Sequence, residues 1–300
     1  RANFSAFDRS ELRRVARLAQ AFDLPLTDAD SALRLIVQTA QNADAWRAAM
    51  IERWVFETNI GRLQRADSIL GAIQDRDPTS LATRELAVLS YLYGEGSRPR
   101  AEASMRFVRQ GLTSASETDR WLATCTNAWW DGFHARSAAA HSVAGDLMTP
   151  VLKPDRRARE FGTDNEVCAR TIRAIADGAA GAIDTTSSLR DLDAYLAGSG
   201  VSRMRSEAAS LEAVRLFVAR GDLTRATTAV RRRQHLQQEP FLLATQLLRR
   251  ARLARQTGAT EEAIAAYRHY LRLRRNAEPG PAADAARVAT EELAALVRER

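Results

Sequence analysis

The strongest constraint in the chain is a spacing that recurs between Met204 and Arg275. Two segments there read as copies of one helix–turn–helix unit. The first runs through Leu211, Val214 and Phe217 to Arg220-Gly221-Asp222, then on through Ala226 and Val230. The second runs through Leu247, Ala251 and Ala254 to Thr257-Gly258, then through Ala263, Tyr267 and Tyr270. Gly221 to Gly258 and Ala226 to Ala263 are both 37 residues apart. A fixed glycine-to-alanine offset repeated at such a period marks a helical repeat, in which each unit buries its apolar face against the next.

The same register appears earlier. Met50 and Trp54 lead to Gly61, and Ala66, Leu70 and Ile73 lead on to Pro78. Leu86, Leu89 and Leu92 precede Gly96, which is followed by Ala101, Met105 and Val108. A further unit can be fitted with Trp121, Cys125 and Ala128 before Gly132, although Ser137 stands where the alanine belongs. Glycine permits a tight reversal, the alanine lets the second helix approach the first, and a following proline stops it.

Outside the register, Asp8 and Glu11 make a capping-box start for a helix carrying Leu12, Val15, Leu18 and Phe22. Leu24-Pro25-Leu26 ends it, and Asp28 or Asp30 is expected to cap a second helix through Leu33 and Ile36. The rhythm slips between Met148 and Ser202. Pro150 and Pro154 bracket a break, the stretch from Asp155 to Glu160 is charged, and Gly178 to Gly181 loosens the next helix. Gly198-Ser199-Gly200 is the best boundary, and Pro279-Gly280-Pro281 sets off a terminal helix that would cover the last open face. The expected organisation is an N-terminal helical pair (1–44), a repeat block (45–150), an irregular helical connector (151–200), C-terminal repeats (201–278) and a capping helix (279–300).

Composition narrows the function. The chain is 45% hydrophobic and 27% charged, as expected of a globular protein, and no apolar run approaches bilayer length. Its first residue is Arg1 rather than Met, which suggests a processed product or a piece of something longer, in the bacterial cytoplasm or outside it. The net charge of +7 invites a nucleic-acid reading. Against this, Lys153 is the only lysine among 44 basic residues, and acidic residues are interleaved throughout, so the arginines read as a solvated helical surface. Cys125 and Cys168 follow no metal or redox spacing. Each falls on an apolar helix side, so two buried free thiols are expected, with pairing left open.

The search for chemistry yields no phosphate-binding glycine loop, no zinc-protease or hydrolase signature, and no catalytic, cofactor or metal site. His134 and His141 could share a helix face with Asp131, but ordinary helix positions account for them. Trp121, Trp129 and Trp130 read as core. The pairs Glu261-Glu262 and Glu291-Glu292 open helix turns or face solvent.

These residues resemble the tetratricopeptide repeat, over 47–115 and 205–275, with departures at Trp54 and Arg250. The resemblance implies an all-α, right-handed α-solenoid of helical hairpins that binds a protein or peptide without catalysis. The run from Ala265 to Arg274, followed by Glu278-Pro279, is also similar to repeat regions of large bacterial regulators, including Ser/Thr kinases and transcriptional activators. That similarity implies an alternative role as a ligand-sensing regulatory domain. In this repeat class the first helix of each pair lines the groove at fixed distances before the turn glycine. The rule selects Val55, Ser90, Arg215 and Arg252 six residues before the glycine, and Thr58, Tyr93, Val218 and Arg255 three before it. Arg215, Arg252 and Arg255 would favour an acidic peptide or a free C-terminus, and Val55 and Tyr93 would line a more apolar half. The competing reading pairs these arginines with nearby acids such as Glu212 and Glu207.

Overall fold

The computed structural model describes residues 7–22, 24–114, 116–134, 143, 158–179, 186–198, 204–232 and 240–299. Fourteen helices occupy 82% of these residues, and no strand occurs among them. The expectations placed on Ser137, His141, Pro150, Lys153, Pro154, Gly181, Ser199 and Gly200 lie outside the described residues.

The chain forms two compact units. The first is discontinuous, combining residues 1–78 with 233–300. It holds α1 (Arg9–Ala21), α2 (Leu26–Gln38), α3 (Ala43–Asn59), α4 (Leu63–Arg76), α12 (Leu243–Gln256), α13 (Thr260–Leu273) and α14 (Pro281–Arg298). The second, residues 79–232, holds α5 (Leu81–Tyr93), α6 (Arg98–Gly111), α7 (Glu117–Phe133), α8 (Ala158–Ala179), α9 (Thr186–Gly198), α10 (Met204–Ala219) and α11 (Leu223–Val230).

Helix starts follow local chemistry. Asp8 and Glu11 form the full capping box, with the Glu11 amide donating to Asp8 Oδ1 at 2.9 Å and the Asp8 amide donating to Glu11 Oε2 at 2.8 Å. The second helix corrects the expected start. Neither Asp28 nor Asp30 caps it; α2 begins directly after Pro25, whose φ of −61° is already helical and which has no amide proton to satisfy.

Three turns repeat bond for bond. Gly61, Gly221 and Gly258 have φ of +81°, +73° and +73°. Their amides donate to the carbonyls of Thr58, Val218 and Arg255, and the next amides, of Arg62, Asp222 and Ala259, donate to Glu57, Phe217 and Ala254. That pair of bonds is the Schellman motif, which needs a left-handed residue. Ala66, Ala226 and Ala263, five residues after each glycine, are 4%, 0% and 0% exposed, so each hairpin crosses where volume is smallest. Ala101 is equally buried, but its turn is longer: Gly94 caps α5, and Ser97 caps α6 through the Arg100 amide. Gly132 is not a turn residue; it lies within α7, which continues to Phe133.

In the first unit, one cluster joins Leu12, Leu33, Ile36, Phe56 and Ile60, and another joins Leu247, Tyr267, Tyr270 and Leu296; Leu26 packs against both. Buried Asn59 ties the two stretches of chain together. Its amide nitrogen donates to Gln20 Oε1 at 3.0 Å and to the Pro240 carbonyl at 2.6 Å, and its oxygen accepts from the Ala244 amide at 3.4 Å. The Glu278 amide donates to the Gly61 carbonyl at 3.0 Å, and its carboxylate accepts from the Gln64 amide at 2.7 Å.

In the second unit, α7 packs on α5 and α6, α8 on α7, and α10 on α5, α8, α9 and α11. The expectation of free thiols is overturned. Cys125 on α7 and Cys168 on α8 form a disulfide with Cα atoms 6.1 Å apart, and both are fully buried. Helix periodicity placed each cysteine on an inward face. It carried no sign that the two faces meet, because the partners are 43 residues apart.

Candidate functional site

The selected residues fall into two groups. Tyr93 at the end of α5 and Arg215 on α10 converge on Glu212, which is completely buried. The Tyr93 hydroxyl donates to Glu212 Oε2 at 3.0 Å, and Arg215 Nε donates to the same oxygen at 2.9 Å. Arg215 Nη2 bonds the other carboxylate oxygen, completing a fork. The Trp129 indole nitrogen donates to the Tyr93 hydroxyl, whose ring meets Trp129 and Phe133 edge-on at centroid distances of 6.1 and 5.6 Å. The Arg215 guanidinium stands 5.9 Å from the Phe133 ring centroid.

Burial, followed by the Glu212 charge, pushes the Tyr93 hydroxyl well above the usual phenol range. The Glu212 hydrogen bonds raise Arg215 above its ordinary value against the opposing effect of burial. Nearby, Arg205 grips buried Glu85 with two bonds, at 2.6 and 2.8 Å. Tyr93, Trp129, Glu212 and Arg215 thus satisfy one another, and the arrangement holds a buried carboxylate in place. Only Arg215 reaches outward, with 40% of its side chain exposed.

The second group lies in the first unit. Arg252 Nε donates to Glu292 Oε2 at 3.1 Å, and the Tyr267 hydroxyl donates to the same oxygen at 3.0 Å. Glu292 therefore ties α14 to α12 and α13 rather than facing solvent. Burial, with the Glu292 charge second, pushes the Tyr267 hydroxyl up to about 12. Arg255 is exposed one turn beyond Arg252 and acts electrostatically on Tyr267. Val55, on α3 in the same unit, is fully buried. Arg250, where the repeat pattern expects an apolar residue, reaches Glu262 at 2.7 Å.

The structure also places a cleft of about 680 Å³ in the first unit. Its walls come from the start of α2, the end of α3 and the end of α13, including Asp28, Phe56, Ile60, Arg62, Leu273 and Arg275. Sequence periodicity gave no hint of it, since its lining residues lie more than 200 positions apart. His134 lies parallel to Tyr91 and tilted against Trp130, and its Nδ1 is 2.8 Å from the Trp130 carbonyl. Among the described residues no group of three or more histidines, cysteines or carboxylates could hold a metal, and no helix is long and apolar enough to cross a membrane.

Comparison with known proteins finds no matching family, no similar curated protein and no similar solved structure.

Proposed function

We propose that this chain is a non-catalytic binding module of tetratricopeptide-like hairpins, stacked as a right-handed solenoid, that holds a protein or peptide within a larger bacterial protein. The observation that supports this reading is the turn repeated at Gly61, Gly221 and Gly258, each followed five residues on by a buried alanine. A chain that reuses one hairpin in this way carries its specificity on exposed side chains of the repeats. Arg252 and Arg255 on α12 are exposed guanidiniums suited to carboxylates, Arg252 engaging Glu292 through Nε alone, whereas the fork of Arg215 is already taken by Glu212. The partner is therefore an acidic peptide or a free C-terminus. An array of acidic peptides with free and amidated C-termini tests this against wild type and the R252E/R255E double variant. At least tenfold weaker binding by the variant, with an unchanged helical circular dichroism spectrum, is expected. Unchanged binding overturns the assignment of this face.

A second reading is favoured by the cleft of about 680 Å³: a ligand-sensing regulatory domain of a Ser/Thr kinase or a transcriptional regulator. A kinase or DNA-binding domain in the same gene product would select this reading, and neither would leave the first.

A further inference from the structure

We propose that the cleft bounded by α2, α3 and α13 binds a small zwitterion, a molecule carrying one ammonium and one carboxylate on an apolar carbon skeleton. The volume, about 680 Å³, lies within the range of small-molecule sites. Phe56, Ile60 and Leu273 line it with apolar surface, beside which charges are screened less than in bulk water.

Six charged side chains line the cleft, and four of them are already engaged within the protein. Asp30 is held by Arg34 at 2.6 Å and by Arg53. Arg62 is ion-paired with the buried Glu57 at 3.6 Å. Arg272 donates to the carbonyls of Ala19 and Leu24 at 3.1 Å and of Gln20 at 3.2 Å. The other two are Asp28, in the first turn of α2, and Arg275, just past the end of α13. Neither of these side chains has a hydrogen-bond or ion-pair partner among the described residues.

One open carboxylate and one open guanidinium select the ligand together. Arg275 offers a planar fork to a carboxylate, and Asp28 accepts from an ammonium. A simple anion would leave Asp28 unanswered and bring a like charge beside it. A simple cation would do the same at Arg275. A zwitterion answers both, and its carbon skeleton lies against the apolar lining. This ligand class deepens the ligand-sensing reading, on which it rests for the cleft as the ligand site. It is separate from the peptide-binding reading, since it uses neither Arg252 nor Arg255.

Isothermal titration of the full chain, at neutral pH and constant ionic strength, compares four probes. L-leucine and 6-aminohexanoate are zwitterions with different head spacings, while hexanoate and hexylamine each carry one head. Wild type is expected to bind at least one zwitterion saturably and at least tenfold more tightly than either single-headed probe. Tighter binding of leucine would assign heads on one carbon, and tighter binding of 6-aminohexanoate heads at opposite ends. D28N should remove the preference for the zwitterion over hexanoate, and R275A the preference over hexylamine. R252E/R255E should change neither. Asp28 also complements the positive end of α2, so circular dichroism checks the fold of D28N, with exposed Arg275 the safer site if that variant is unstable. Hexanoate or hexylamine binding as tightly as the zwitterions, or an unchanged preference in R275A, overturns the zwitterion while leaving the cleft a ligand site. No saturable binding of any probe overturns both.

Discussion

Gly61 and Gly221 adopt nearly the same backbone conformation but sit in different surroundings. A side chain at Gly221 would meet nothing within 4 Å, so G221A is charged only the left-handed backbone penalty, roughly 1–2 kcal/mol. At Gly61 an added Cβ would lie 2.7 Å from Ala277 Cβ and 2.8 Å from an Arg274 guanidinium nitrogen. G61A should therefore cost the same strain plus about 1–3 kcal/mol of overpacking. Urea denaturation of both variants checks the difference, and equal losses would show that the contact with Ala277 does not matter. The same scale governs A263L, at a fully buried crossing, where inserted volume should again cost about 1–3 kcal/mol. The glycine and alanine positions were legible from spacing alone, because a turn and a helix crossing each tolerate few residue types. The convergence of Tyr93 and Arg215 on Glu212 was only half legible. Arg215 and Glu212 are three apart on one helix, whereas Tyr93 arrives from 119 residues away.

Between elements, the packing that periodicity hides decides stability. Helix α7 and helix α8 are tied by Cys125–Cys168 across a separation of 43 residues. Loop-closure entropy for such a span predicts that the C125S/C168S variant, or the reduced protein, is less stable by about 4 kcal/mol. A melting temperature unaffected by reductant would mean that the bond adds nothing to helix packing already in place. At the other end of the chain, Glu292 fastens α14 to Tyr267 and Arg252. The Tyr267 hydroxyl is raised in the folded state, to about 12, so the folded chain favours its neutral form. That contribution is fully present below the unfolded tyrosine value of about 10 and is lost as pH rises toward 12. Tyrosinate absorbance should show Tyr93 and Tyr267 titrating late, and Y267F should remove one of these two late steps. An early titration of every tyrosine except Tyr93 would contradict the Glu292 contact.

For the whole molecule, the all-helical class followed from the repeat spacing, while the partition into units did not. Helical periodicity reports which face of a helix is buried and is silent on which distant helix covers it. Residues 1–78 and 233–300 make one unit because Asn59, Gly61 and Arg274 carry bonds across some 180–220 positions. Asn59 uses both amide bonds and its oxygen in that union, and it is 1% exposed. N59A leaves the Pro240 carbonyl and the Ala244 amide buried without their partner, at about 1–3 kcal/mol for each unsatisfied group. Residues 79–232, in contrast, contain both cysteines and the whole Tyr93–Glu212–Arg215 network. A fragment of residues 79–232 should therefore fold alone, helical and with its disulfide formed. A fragment of residues 1–78 should be largely unfolded until residues 233–300 are supplied in trans, when helical ellipticity should rise beyond the sum of the two fragments. The N59A substitution in the 1–78 fragment should weaken that complementation. Independent folding of 1–78, with no gain on mixing, would mean that the bonds from Asn59 and Arg274 merely decorate a unit already stable without them.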